Sequence, residues 1–136
     1  MPERCFTQPF VSVAVVVENN GKILLCKLGR GLVQNLWDLP SGWVDLGENP
    51  ITAAVREAKE ETGLHYTPTH LLGIYSCIKQ SKLHADTIVQ PITLAFRGTW
   101  EGVPTPDGDE IVEHQWFSPS EIDAMHQEKL RSHNIK

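Results

Sequence analysis

Three glutamates, Glu57, Glu60 and Glu61, lie near the end of Pro50 to Thr62, a stretch whose spacing predicts a helix. Asn49 can cap it, Pro50 suits its first position, and Gly63 supplies a left-handed stop. At about 100° per residue, Ile51, Ala54, Val55, Ala58 and Thr62 share a stripe that should pack, and the glutamates share an arc of about 100° on the opposite side. Carboxylates three and four residues apart repel by about 0.2–0.5 kcal/mol per pair, and the macrodipole at a helix C-terminus adds to the penalty. A bound divalent cation reverses the sign of each of these terms, and oxygen-only ligands suit Mg2+ or Mn2+ better than zinc. The plain alternative is a solvated Glu-rich face, partly neutralised by Arg56 and Lys59.

Charge elsewhere narrows the chemistry. The 136 residues carry 12 Lys and Arg against 17 Asp and Glu, a net charge of −5. Asp45 to Glu61 holds −3 and Asp107 to Glu113 holds −4, which leaves the rest at +2. Two acidic patches on a slightly basic body can meet around cations, and they give no electrostatic reason to bind a nucleic-acid duplex. With 40% apolar and 21% charged residues the composition is that of a globular domain, and no apolar run approaches a membrane span. Cys5, Cys26 and Cys77 form no C-x-x-C pair, and His65, His70, His84, His114, His126 and His133 form no H-x-x-x-H pair. Disulfide and zinc frameworks are therefore disfavoured. Without a secretory pattern at the N-terminus, a cytoplasmic address is the expectation.

The elements that must position the glutamates follow from periodicity and turn chemistry. Val11 to Glu18 and Lys22 to Leu28 flank Asn19-Asn20-Gly21 and read as a hairpin of two buried strands. Trp37 to Val44 reads as a strand bent at Pro40-Ser41-Gly42. After the helix come strand-like runs at His70 to Lys79, Thr87 to Arg97 and Ile111 to Phe117, with an acidic Gly/Pro loop from Glu101 to Asp109. Ser118-Pro119-Ser120-Glu121 then opens a second helix. This order predicts one α/β domain over residues 1–136, a mixed β-sheet flanked by helices.

Read outward from the glutamates, the sequence runs Gly42, five residues, Glu48, seven residues, then Arg56-Glu57-Ala58-Lys59-Glu60-Glu61-Thr62-Gly63-Leu64. It matches the Nudix box, G-x5-E-x7-R-E-U-x-E-E-x-G-U with U apolar, at every fixed position. The chain thus resembles the Nudix hydrolase family, strictly over the 23 residues from Gly42 to Leu64. Two departures lie outside the fixed positions: Ser41-Gly42 stands where many members have Gly-Gly, and Asp45 where many have Glu. They bear on loop geometry.

The resemblance implies an α/β/α sandwich and a magnesium-dependent pyrophosphohydrolase, acting by water attack on a nucleoside diphosphate linked to another moiety. Carried over by position, it implies Glu57, Glu60 and Glu61 as metal ligands, with Glu48 a further ligand or water-mediated partner. The Ser41 carbonyl would be a backbone ligand, and Arg56 would orient a neighbouring carboxylate. Gly42 and Gly47 would let the loop fold closely onto the helix. Relatives with a loop glutamate single out Glu110 as general base; Glu60 and Glu48 remain alternatives, and so does an exposed loop acid. Trp37 could stack on a base or simply pack. Lys79, Lys82, His84 and Arg97 could contact phosphates or be surface charges. Two other functions fit the same fold. One is a nucleotide sensor without hydrolysis, which has no need of all four glutamates; the other is a prenyl diphosphate isomerase, which needs a Cys and acid pair that is not identifiable here. The expected partner is a small nucleotide, and a homodimer is left open.

Overall fold

The computed structural model describes residues 8–76, 78–80, 88–125 and 129–130, the side chains at 32, 79 and 80 excepted. Lys82, His84, Cys5, Cys77, His126, His133 and the Lys79 side chain therefore lie outside the described residues. A mixed sheet is built from β1 (Phe10–Val16), β5 (Ser41–Trp43), β6 (His65–Ser76) and β9 (Pro91–Glu101), in the order β5-β1-β9-β6. Within it β1 runs parallel to β9 and antiparallel to β5, and β6 runs antiparallel to β9. A second, antiparallel sheet has β3 (Lys22–Leu28) between β10 (Ile111–Phe117) and β2 (Glu18–Asn19), with β4 (Trp37–Asp38) also paired to β3. A short ladder joins β7 (Lys79–Gln80) to β8 (Ile88–Val89). The helices are α1 (Pro50–Thr62) and α2 (Pro119–Ala124). This is the mixed-sheet α/β class expected from the order of elements. Among the described residues no helix is long and apolar enough to cross a membrane.

Both helix starts follow the cap chemistry. The Asn49 side chain accepts from the Ile51 amide at 2.8 Å, and Gly63 closes α1 at φ 76°, its amide donating to the Lys59 carbonyl. Such a cap is worth about 1 kcal/mol. At α2, Ser118 and Glu121 form a reciprocal capping box.

The expected hairpin is corrected by the structure. Asn20 and Gly21 do turn the chain, but only β2 pairs with β3, through Glu18 with Ile23 and Asn19 with Lys22. The longer strand β1 leaves for the mixed sheet. Its Val13, Ala14 and Val15 are all buried, a pattern that suits a central strand covered on both faces.

The packing face of α1 is corrected as well. Ala53, Ala54, Ala58 and Thr62 are fully buried, while Ile51 is 54% and Val55 39% exposed. The buried face is thus turned by roughly 60° from the apolar stripe, toward the glutamates. Small alanine side chains let the helix approach the sheet closely, so its docking outweighs the larger residues. One core joins Ala53, Ala54 and Ala58 to Val13, Val15, Val17, Leu24, Leu64, Tyr66 and Phe96. Leu25, next to Leu24 on β3, faces a separate cluster with Phe117, Ile122 and Leu130. The second sheet is therefore covered on both faces, and α1 is held where its Glu57 side meets β5.

Candidate active site

Glu57 is carried inward by the rotation of α1 and is only 8% exposed. It lies against Gly42 of β5: a β-carbon there would stand 2.1 Å from the Glu57 Cδ and 2.3 Å from each carboxylate oxygen. Only glycine leaves room for this carboxylate. Burial pushes its pKa up to about 7, against the pull of the Arg56 guanidinium; Glu60 and Glu110 add to the rise.

Arg56 gathers the acids beside it. Its Nε and Nη2 donate to the two Glu48 oxygens at 2.7 and 2.9 Å, and Nη1 donates to Glu57 at 2.7 Å and to Glu60 at 3.3 Å. Nη2 also reaches the Trp43 carbonyl at 2.9 Å, and Asp45 lies 3.6 Å away. The paired bonds to Glu48 draw its pKa down to about 2. Glu48 is fixed from its other side too, since its Oε1 accepts from the Asp45 amide at 3.1 Å. Gly47, at φ 84°, provides the left-handed residue that this tight turn uses.

Glu61 is reached from β5 and from β10. The Ser41 amide donates to its Oε1 at 3.0 Å, and His114 Nε2 lies 2.7 Å from its backbone carbonyl. Burial pushes the Glu61 carboxyl well up, and the charges of Glu57, Asp38 and Glu110 push in the same direction. The buried Glu57 and the half-buried Glu61, both raised by desolvation and by neighbouring acids, fit a hard divalent cation. As the side chains stand, no group of three or more His, Cys, Asp or Glu among the described residues converges on one point. Glu48 and Glu60 are turned to Arg56.

Glu110 ends the acidic loop, and its charge is felt by both Glu57 and Glu61. The loop is tied in several places. Asp107 Oδ1 accepts from the amides of Asp109 at 2.9 Å and Ile111 at 3.0 Å, and the Glu110 carbonyl accepts from the Gly29 amide at 2.9 Å. Arg30 pairs with Asp109 on the outside. Glu113 is exposed on β10.

The remaining sequence candidates lie elsewhere. Trp37 is half-buried in the second cluster, edge-on to Phe117 at 5.1 Å, with the Lys27 ammonium 5.8 Å from its ring. Arg97 is exposed on β9, level with Val16 of β1, whereas Gly42 is level with Val13. Sequence alone marks His114 as one of six histidines and Asp107 as part of the acidic loop. Alternation along β10 offers a signal for the first, because His114 shares a face with Trp116, which packs on the main core.

Comparison with known proteins finds a family and several relatives. The family described as the NUDIX domain matches residues 8–135. An ADP-ribose pyrophosphatase of Methanocaldococcus jannaschii is 42% identical over 73 residues, 54% of this chain and 43% of that protein. The chain thus spans less than half the length of that relative. A MutT-like protein of Streptomyces ambofaciens is 29% identical over 89% of this chain and 73% of its own length. The crystal structure of a MutT NUDIX hydrolase from Burkholderia pseudomallei superposes with a TM-score of 0.76 at 26% identity, covering 94% of this chain and 93% of that one.

Proposed function

The chain belongs to the NUDIX domain family, and on that premise we propose that it is a magnesium-dependent hydrolase of a phosphoanhydride bond in a nucleoside triphosphate or a nucleoside diphosphate derivative. The observation that carries this reading is a pair of enclosed carboxylates, the buried Glu57 against Gly42 and the half-buried Glu61 on the Ser41 amide, beside Arg56 and within the field of Glu110.

Glu57 and Glu61 would hold Mg2+, or Mn2+ in its place, with Glu60, Glu48 and the Ser41 carbonyl as further oxygen donors. When bound, the cation neutralises pyrophosphate charge and lowers the pKa of coordinated water. The protein's own groups do the rest. Arg56 holds Glu48 and Glu57 in fixed orientations, so little reorganisation is needed as charge develops. Glu110 takes a proton from the attacking water; the water oxygen bonds to phosphorus, the bridging P–O bond breaks, and the leaving phosphate carries away that bond's electron pair. Glu60 and Glu48 are the alternative bases. Trp37, Lys79 and Arg97 are the candidate substrate contacts, with Trp37 stacking on a base and the two cations meeting phosphate. Cysteines without paired spacing support a cytoplasmic setting.

The test is product analysis with Mg2+ on ADP-ribose, canonical and oxidised dNTPs, nucleotide sugars, dinucleoside polyphosphates and a prenyl diphosphate. Release of a phosphorylated hydrolysis product supports the proposal. A nucleotide that binds and returns unchanged would instead identify a sensor, and an isomerised prenyl diphosphate would identify the isomerase.

A further inference from the structure

The last carbonyls of an α-helix have no partner within it, and at α1 those of Lys59, Glu61 and Thr62 are met by groups beyond the helix. The Lys59 carbonyl takes the Gly63 amide at 2.9 Å and the Thr62 carbonyl takes the Thr105 amide at 2.8 Å. The Glu61 carbonyl takes a side chain, His114 Nε2, at 2.7 Å. A carbonyl oxygen can only accept, so this nitrogen carries the proton and donates. The other ring nitrogen, Nδ1, is buried without a hydrogen-bond partner among the described residues. An apolar side chain of similar size would fill the same place with no nitrogen left unpaired. What histidine supplies there is the Nε2–H bond.

That bond joins two parts of the site. Glu61 lies on the helix that docks against the mixed sheet, whereas His114 lies on β10 of the second sheet, three residues past the start of that strand at Ile111 and four past Glu110. We propose that His114 is a positioning residue, one that sets the Glu61 end of α1 in register with the loop carrying Glu110. This rests on the function proposed above. The contact that defines this role is with a backbone carbonyl, not with a reacting group. Its effect passes through the backbone of Glu61, so it should alter cation binding and turnover while sparing nucleotide affinity.

The experiment compares the wild type with His114→Leu, which cannot donate, and His114→Gln, whose amide nitrogen can stand in for Nε2. Binding of Mn2+ is counted by electron paramagnetic resonance of the free ion without nucleotide; kcat and KM are then measured with Mg2+. The Leu variant should bind Mn2+ about 10-fold more weakly and lose about 10-fold in kcat, with KM within about 2-fold, and Gln should restore both quantities to within about 3-fold. If the Leu variant does not fold, His114→Asn, whose amide is too short to reach the carbonyl, takes its place in the comparison. Unchanged Mn2+ affinity in the non-donating variant, a Gln variant as impaired as it, or a wild type that binds no Mn2+ overturns the role. A wild type that binds Mn2+ but turns over no nucleotide refutes the proposed hydrolase instead, and the Mn2+ comparison still decides His114.

Discussion

Gly42 and Glu57 occupy one space: the glycine's missing side chain is the room in which the carboxylate sits, with a β-carbon there falling 2.1 Å from Cδ. Gly42→Ala must therefore expel Glu57 or push β5 away from α1. Overpacking of this kind costs about 1–3 kcal/mol, to be read as a lower denaturation midpoint. Activity should fall further than that loss explains, because the displaced group is a proposed ligand. An alanine variant with wild-type midpoint and rate would show that the contact is unimportant.

Acid and neutral pH should act on Glu57 and Glu48 with opposite sign. For Glu57 the folded value, about 7, lies above the ordinary 4.5, so the folded state holds the extra proton. Its contribution to stability is complete below 4.5 and is lost as pH rises toward 7; Glu61 acts in the same direction. For Glu48 the folded value, about 2, lies below 4.5, so its contribution is present above 4.5 and is lost as pH falls toward 2. In chelator, Glu57→Gln should flatten the decline between 4.5 and 7, and Glu48→Gln should flatten the one between 4.5 and 2. Urea midpoints measured across both windows check this, and an unchanged profile in the Glu57 variant contradicts it.

Sequence periodicity located α1 to the residue because Asn49, Pro50 and Gly63 act locally. It did not locate the face of α1 that docks. Counting apolar residues favoured Ile51 and Val55, while close approach to the sheet selected Ala53, Ala54 and Ala58 and took Glu57 inside with them. Likewise Asn20-Gly21 specified a turn, but not that β1 would leave its hairpin partner for β9, a pairing of residues some 80 apart whose parallel register leaves no local signal. The spacing of the carboxylates was legible in the sequence. Their enclosure by Arg56, and the reach of His114 across from the other sheet, depend on side-chain approach between distant segments.

Separating the candidate bases calls for paired variants on one loop. Glu110→Gln should lower kcat by about 10²–10⁴-fold with KM little changed, as removal of a positioned proton acceptor does. Glu113→Gln, exposed on the adjoining strand, should be mild. Steady-state kinetics on both settle the matter: a Glu110 variant no slower than the Glu113 variant would return the role to Glu60 or Glu48.

Glu61 is half-buried, held by the Ser41 amide, and raised by desolvation and its acidic neighbours. Its replacement by glutamine keeps the shape and removes the charge that a cation would need. Single-turnover rates with saturating Mg2+, on whichever nucleotide the wild type hydrolyses, should fall by about 10²-fold or more in Glu61→Gln while the fold persists, since catalysis at such a site is mostly electrostatic. A Glu61→Gln protein that cleaves the phosphoanhydride at the wild-type rate would place the chemistry somewhere other than this helix.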